Sequence, residues 1–520
     1  MYSESAHGAR TINVAAIPAR GRARSAGLAA ALLLIAAHAP LAIVMRHSPP
    51  VATAHALLVF VFGMGVALFG RKPMHVAYVA AYIIGAEVLW RMSDARVPWE
   101  FGKYATVALF AAALVRLPRL KPPALPVIYF ALLLPATLLT FMNLSAEDAR
   151  QQISFNLSGP LALAACAVFF AHVKLARAQL TRLFLSLLAP VFGVACVALF
   201  GMATAANLSF GDAANSASSG GFGPNQVSAA LGLGFLIAFW LAMDDRLGWR
   251  ARVASFAVML FLVVQCALTF SRGGLYAAGG AILLAALFLM RTRRARLTLV
   301  AIVVPLLFVS FFFVLPHLDA MTGGAFTERY QDTSLTGRDV LIQADLIIWL
   351  KNPVWGVGPG RSALMHLSLF RDSASHTEFS RMLAEHAALG LASMLLLFAT
   401  AVRNVRRARG ATAKGMASSF VVWGFLFMAS VAMRMAAPSF LIGLTFARLL
   451  AEDNAPGAQA RGRATWSYAL VSDAGRDAAR GAGGGDTDDA GELATSARVA
   501  TAAGHGSNVR SFYRGARGRG

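Results

Sequence analysis

Apolar residues gather in runs of about twenty between Leu28 and Leu450, and charged residues concentrate at the junctions between them. A helix needs roughly 20 apolar residues to cross the hydrocarbon core of a bilayer. Fourteen runs are legible, at 27–45, 51–70, 73–91, 101–117, 123–142, 158–176, 183–203, 226–243, 253–270, 273–290, 297–315, 383–402, 417–433 and 437–451. The last is short enough to be a re-entrant or interfacial segment. The pattern predicts an all-α, polytopic integral membrane helix bundle of roughly 12–14 transmembrane helices.

Basic residues mark every second junction. Arg20, Arg22 and Arg24 precede the first run, Arg71 and Lys72 close the second, and Arg116, Arg119 and Lys121 follow the fourth. The series continues with Lys174, Arg177 and Arg182, then Arg246, Arg250 and Arg252, then Arg291, Arg293, Arg294 and Arg296, and lastly Arg403, Arg406, Arg407, Arg409 and Lys414. The Lys/Arg bias assigns these junctions, both termini included, to the cytoplasm. The alternate junctions carry scattered cations such as Arg46, Arg150 and Arg272 and face outward. A long segment, 316–381, faces outward too, because long loops translocate regardless of charge.

Composition agrees with that reading and removes one alternative. The 520 residues are 57% hydrophobic and only 14% charged, and the mean hydropathy is +0.60. A formal charge of +22 would suggest nucleic acid in a soluble chain. Here the cations sit at membrane junctions, where anionic headgroups attract them, so membrane lipids are expected partners and nucleic acid is not. Cys166, Cys196 and Cys266 lie inside apolar runs, where cysteine behaves as a small hydrophobe, and indicate no disulfide framework.

Five regions follow. These are a basic cytoplasmic N-terminus (1–26), N-terminal transmembrane helices (27–206), a central region (207–402) that includes the loop 316–381, C-terminal transmembrane helices (403–451), and a Gly, Ala, Arg and Asp-rich tail (452–520). The tail lacks a sustained apolar period and is expected to be disordered and cytoplasmic. The run after the Arg-rich first 25 residues leads directly into further spans, so it is read as the first span and not a cleaved signal.

Polar residues in the outward regions are the candidates for chemistry, because ionisable groups at membrane depth are costly unless paired or hydrated. The stretch from Asn207 to Gly223 reads as a flexible loop, and Pro224-Asn225 opens the helix after it. Arg272 stands in the tight junction 269–274, where an outward arginine opposes the Lys/Arg bias instead of serving it. In the long loop, Thr336-Gly337-Arg338-Asp339 resembles a capping box. Val340, Leu341, Ala344, Ile347 and Ile348 then recur at helical spacing up to Asn352-Pro353, predicting an amphipathic helix of about four turns of the membrane-surface type. Arg338 in its first turn suits an anion. His376 stands at the mouth of the next span with Glu378 beside it and Glu385 further on. The carboxylates suit orienting a histidine or pairing an arginine. His386 lacks the HExxH spacing, so no metal is expected, and the glycines of 356–360 lack the strand-turn-helix context of a dinucleotide site; a turn hugging the bilayer is the simpler account.

Together GGFGPNQVSAALGLG at 220–234, LTFSRGG at 268–274, LTGRDVLIQADLIIWLKNPVWGVGPGRSAL at 335–364 and HTEFSRMLAEHAALGLASMLLLF at 376–398 resemble the O-antigen ligase and polymerase family of bacterial envelope enzymes. The resemblance spans about Asn207 to Leu397. It implies a metal-independent glycan transferase without cofactor in the bacterial inner membrane, with its active site on the periplasmic face. The donor class it implies is a glycan on undecaprenyl diphosphate, and the acceptor a hydroxyl on lipid A core or another glycan. Arg272, Arg338 and His376 map onto the residues associated with transfer, and Ser271, Asn225, Arg361 and Glu378 are expected to bind substrate. Thr377 departs from the pattern, since an asparagine often follows the histidine in that family. A polymerase of the same family is the alternative, with a protein-directed oligosaccharyltransferase a further acceptor choice. A lipid-linked sugar transporter is the alternative of another class, disfavoured because the candidate cations cluster on one face and no clear internal repeat is present.

Overall fold

The computed structural model describes residues 19–117, 120–205, 215–332, 338–367 and 376–449. The helices are α1 (Ala19–His47), α2 (Pro49–Phe69), α3 (Pro73–Met92), α4 (Phe101–Val115), α5 (Ala124–Ala131), α6 (Thr137–Asn143), α7 (Ala146–Ala171), α8 (Arg177–Thr204), α9 (Pro224–Met243) and α10 (Trp249–Leu268). There follow α11 (Arg272–Leu289), α12 (Arg293–Val309), α13 (Leu315–Met321), α14 (Ala325–Gln331), α15 (Arg338–Lys351), α16 (Arg361–Leu367), α17 (Glu378–Arg407), α18 (Ala411–Val431) and α19 (Ala437–Leu444). Among the described residues, eleven helices are long and apolar enough to cross a membrane. The protein is an all-α multi-pass membrane protein.

The three remaining apolar runs are shorter for local reasons. The run at 101–117 gives the 15 residues of α4. The run at 123–142 breaks into α5 and α6 around Pro135, because proline lacks the amide proton that a helix interior requires. The run at 437–451 yields the eight residues of α19, all buried. Elsewhere proline is placed where it helps: Pro49, Pro73, Pro224 and Pro438 each occupy a first turn, where the missing N–H costs nothing. Pro305 lies inside α12, and the chain runs on through a π-helical turn, Ser310–Val314, into α13.

Helices cross where side chains are small. Gly85 abuts Leu187 and Pro190, Gly159 abuts Met433, and Gly443 abuts Cys166, the close approach that gives van der Waals packing between membrane helices. A polar thread ties the first three helices: Trp90 Nε1 donates to His55 Nδ1 at 2.9 Å, and the Tyr82 hydroxyl joins His55 Nε2 at 3.0 Å and His38 Nε2 at 2.9 Å. The bond from Arg448 N to Val173 O, at 3.2 Å, and the pairing of Lys174–Leu175 with Arg448–Leu449 fasten the chain after α19 to the link between α7 and α8.

The long loop is helical through α13, α14, α15 and α16. The predicted amphipathic helix is present as α15, with Leu341, Ala344, Asp345 and Ile348 buried. That face packs against α17, whereas Val340 and Ile347 are exposed. The capping residues Thr336 and Gly337, the first eight residues of the 207–223 loop, and residues 1–18 and 450–520 lie outside the described residues.

Candidate functional site

The turn between α10 and α11 is built from its own hydroxyls. Thr269 Oγ1 donates to Cys266 O at 2.7 Å and accepts from Ser271 N at 3.2 Å, while Phe270 takes φ 56°, the left-handed region that costs a bulky residue. Arg329 of α14, only 6% exposed, donates from Nε to Phe270 O at 3.1 Å. Ser271 Oγ donates to Asn225 Oδ1 at 2.8 Å, and Ser228 Oγ donates to Ser271 O at 2.6 Å. Two predicted substrate-binding residues, Ser271 and Asn225, therefore meet. Gly274 explains the tightness: a Cβ there, or at Gly232 opposite, would strike the backbone of the other helix.

Arginines converge on this turn. Arg272 donates from Nη1 to Asp332 O, and Arg329 Nη1 lies 3.4 Å from the Asp332 carboxylate. Burial lowers the pKa of Arg338, and the charges of Arg272 and Arg329 lower it further. Three guanidinium groups within mutual electrostatic reach repel one another, and the Asp332 carboxylate beside Arg329 offsets part of that charge. Arg329 was not evident in the sequence, where it is one of several loop cations without a motif.

His376 is half-buried and immediately precedes Thr377, whose hydroxyl caps α17 by accepting from Phe379 N at 3.1 Å. The α15 and α17 helices run side by side in the same direction, since Ser380 Oγ donates to Asp345 Oδ2 at 2.6 Å and Ile348 packs with Ala384 one turn on. Arg338 and His376 thus belong to the same end of the bundle, although in sequence the rest of α15 and the whole of α16 lie between them. His366 Nε2 reaches Asp345 Oδ1 at 3.2 Å and ties α16 to the same pair.

A further group of buried charges lies on α17, where the two carboxylates pair an arginine, Arg381, that stands between them. Arg381 joins Glu378 at 2.5 Å and Glu385 at 2.6 Å, and also donates to Asn156 Oδ1 at 3.1 Å on α7. Glu378 additionally accepts from Met433 N at 3.1 Å, and Glu385 from Gly360 N at 2.7 Å and Ser362 Oγ at 3.1 Å. The signal was available: residues three and seven apart share one helix face, so Glu378, Arg381 and Glu385 form a single stripe. Arg361, expected to bind substrate, turns back to Val357 O at 3.1 Å. The glycine-rich turn 356–360 packs against α6, α7 and α17, a protein contact where a bilayer contact was expected.

Residues 257–386 match a family model described as O-antigen ligase. The chain carries an O-antigen ligase domain. No curated protein matches the chain. The ligase domain runs from within α10 to the kink of α17, and it contains Arg272, Arg329, Arg338, Arg361, His376, Glu378, Arg381 and Glu385. The stretch at 220–234, with Asn225, lies before the matched residues. The domain makes this a membrane glycan enzyme of the ligase/polymerase type. Among the described residues, no group of three or more His, Cys, Asp or Glu side chains is arranged to hold a metal ion.

Proposed function

We propose that the protein transfers a glycan from an undecaprenyl-diphosphate-linked donor to an acceptor hydroxyl, on lipid A core or a similar glycan, at the periplasmic face of the bacterial inner membrane. The observation that supports this most is the convergence of Arg272, Arg329 and Arg338 at the end of the bundle that also holds His376. Breaking the bond between the sugar and the diphosphate sends the electron pair onto a phosphate oxygen. Guanidinium groups meet that charge with a permanent positive charge and bidentate geometry, and their effect is largest where water is excluded. His376 takes the proton of the attacking hydroxyl, a step worth roughly two to four orders of magnitude. No covalent enzyme intermediate is needed.

The test is a pair of substitutions, Arg272→Ala and His376→Ala. Each variant is expected to insert at wild-type levels, accumulate lipid-linked glycan and lose the transferred product; wild-type product from both would sink the assignment. Gel profiles of surface polysaccharide from a deletion strain distinguish the acceptors. Loss of long chains from lipopolysaccharide with free polymer retained means ligation, whereas shortened polymer means polymerisation.

A further inference from the structure

The outward mouth of the bundle holds an aromatic surface that the arginine cluster does not use. Trp99, in the link between α3 and α4, is 45% exposed, and one side of its indole is covered by the Arg91 guanidinium, centred 4.5 Å from the ring centroid. Phe222, just before α9, lies beside it, with 6.2 Å between ring centroids and 35° between ring planes. We propose that Trp99, Phe222 and Gln226 form a platform that binds one uncharged pyranose ring of a glycan whose end reacts at Arg272. The inference rests on the transfer reaction proposed above and adds to it where a sugar chain is gripped.

Three observations carry it. The first is rigidity. The Arg91 side chain is only 7% exposed. Its Nη2 donates to Glu87 Oε1 at 2.6 Å and to Trp99 O at 2.8 Å, and its Nη1 to Gln226 Oε1 at 2.7 Å and to Arg434 O at 3.2 Å. Glu87 Oε2 accepts in turn from Ala436 N at 2.8 Å. One guanidinium thus holds the backbone and the ring of Trp99, so little side-chain freedom is left to lose on binding. The Glu87 carboxylate balances the Arg91 charge, and the platform selects no anion. The second is hydrogen-bonding capacity. A pyranose presents a face of C–H groups and a rim of hydroxyls, and an aromatic surface with a few fixed polar groups is the usual lining of a site for such a molecule. The open side of the indole, with the Phe222 ring alongside, suits the C–H face. Arginine only donates, so the Gln226 atom that meets Arg91 is the carbonyl oxygen, and the amide nitrogen lies against Gly223, next to Phe222. Among the described residues that nitrogen has no hydrogen-bond partner, and Gln226 is only half-buried. Its two N–H groups are left for sugar hydroxyls.

The third is position. Tryptophan is a common anchor at the membrane interface, but an anchor sits on a lipid-facing helix. Trp99 packs instead over the entry to α9, which has 94% of its apolar stretch buried, the most of the eleven spans. Gln226 follows Asn225, which accepts from Ser271 Oγ at 2.8 Å, and Ser271 precedes Arg272. Touching side chains therefore run from the indole through Arg91, Gln226 and Asn225 to the arginine cluster. A sugar chain with its end at Arg272 has the platform within reach.

The experiment uses the full chain in lipid vesicles, with a synthetic undecaprenyl-diphosphate-linked oligosaccharide as donor and rough lipopolysaccharide core as acceptor, each varied in turn. Trp99→Ala is expected to raise the KM of one of the two at least about tenfold, with the other KM and kcat within about threefold of wild type, and Trp99→Tyr to keep most of the binding. Whichever KM rises names the glycan that lies on the platform. A merely structural role would lower the amount of folded protein or kcat, or raise both KM values together; that result, or wild-type KM for both substrates, overturns the proposal. Should Trp99→Ala fail to accumulate, Gln226→Glu decides, because a carboxylate still accepts from Arg91 while the amide donors are gone; it should raise one KM at least about threefold, and wild-type values would overturn the platform. A second readout needs no turnover. Trp99 is one of eight tryptophans, and the glycan freed from its lipid should change the tryptophan emission of the wild-type chain but not that of Trp99→Phe; equal responses overturn the platform. Absence of transfer by the wild-type chain, with that difference in emission present, would instead overturn the transfer reading and leave the platform standing.

Discussion

Arg381 shows how a buried charge is kept at low cost. Its Nε, Nη1 and Nη2 all donate, to Glu378, Glu385 and Asn156, so the guanidinium and both carboxylates lose water together and gain charge-assisted hydrogen bonds. Removing one member of such a group leaves the others buried and unpaired, at a cost of about 3–5 kcal/mol. Arg381→Ala is accordingly expected to unfold at markedly lower temperature in detergent, whereas Arg150→Ala, whose partner Glu147 is as exposed as Arg150 itself, should melt with the wild type. Equal melting of the two variants would contradict a central role for the stripe. Arg272, Arg338 and His376 are candidates from the sequence because an outward cation or a histidine at a span's mouth breaks the surrounding pattern. Arg381 and Arg329 are not. Each stands near other charged residues, and what distinguishes them, a partner on α7 or the carbonyl of Phe270, comes from distant parts of the chain.

At the scale of elements, the glycine-rich turn and the kink in α17 form one device. Ala387 leaves helical geometry at φ 46°, and the Ala384 and Glu385 carbonyls just before it accept from Val357 N at 3.1 Å and Gly358 N at 3.0 Å. The turn can come so close because Gly356 and Gly358 have φ of 72° and 96°, and a Cβ on either would strike neighbouring backbone. Gly356→Ala is expected to reduce the folded protein sharply. The control is Gly323→Ala, where φ is also positive, at 63°, but no atom lies within reach of the new methyl group; it should pay only backbone strain, about 1–3 kcal/mol. Fluorescence-detected size exclusion would rank the two, and a milder effect at Gly356 would refute the account. Hydropathy gave the existence of nearly every span and the shortness of the last run, but not the break at Pro135 or the kink at Ala387. An apolar run reports the solvent around a segment; where its helix stops depends on prolines and on partners elsewhere.

For the whole molecule, the functional candidates lie at one end because the helices alternate in direction. The C-terminus of α3, the N-termini of α9, α11 and α17, and the C-terminus of α18 meet there: Arg91 on α3 donates to Gln226 at 2.7 Å and to Arg434 O at 3.2 Å, one residue from Asn225. The Arg-rich junctions belong to the other end, where Arg294 pairs with Asp245 at 2.8 Å. The Lys/Arg bias predicts that the first end faces outward. In a variant without Cys166, Cys196 and Cys266, a membrane-impermeant thiol reagent added to intact cells should label Asp94→Cys and leave Arg294→Cys untouched until the inner membrane is opened; the reverse pattern would place the chemistry on the wrong side for a lipid-linked donor. The charge pattern gives each span an expected direction, but not the side-chain contacts between distant spans, such as Arg381 on α17 with Asn156 on α7 or Ser271 with Asn225 on α9.

The backbone contact between Gly232 and Gly274 sets a mechanical constraint on turnover. Helices that touch without intervening side chains have no slack to slide or splay, so the wall bearing Ser271 and Arg272 behaves as an anvil. Whatever gives way to let a lipid tail and two sugar chains in and out must be hinged elsewhere.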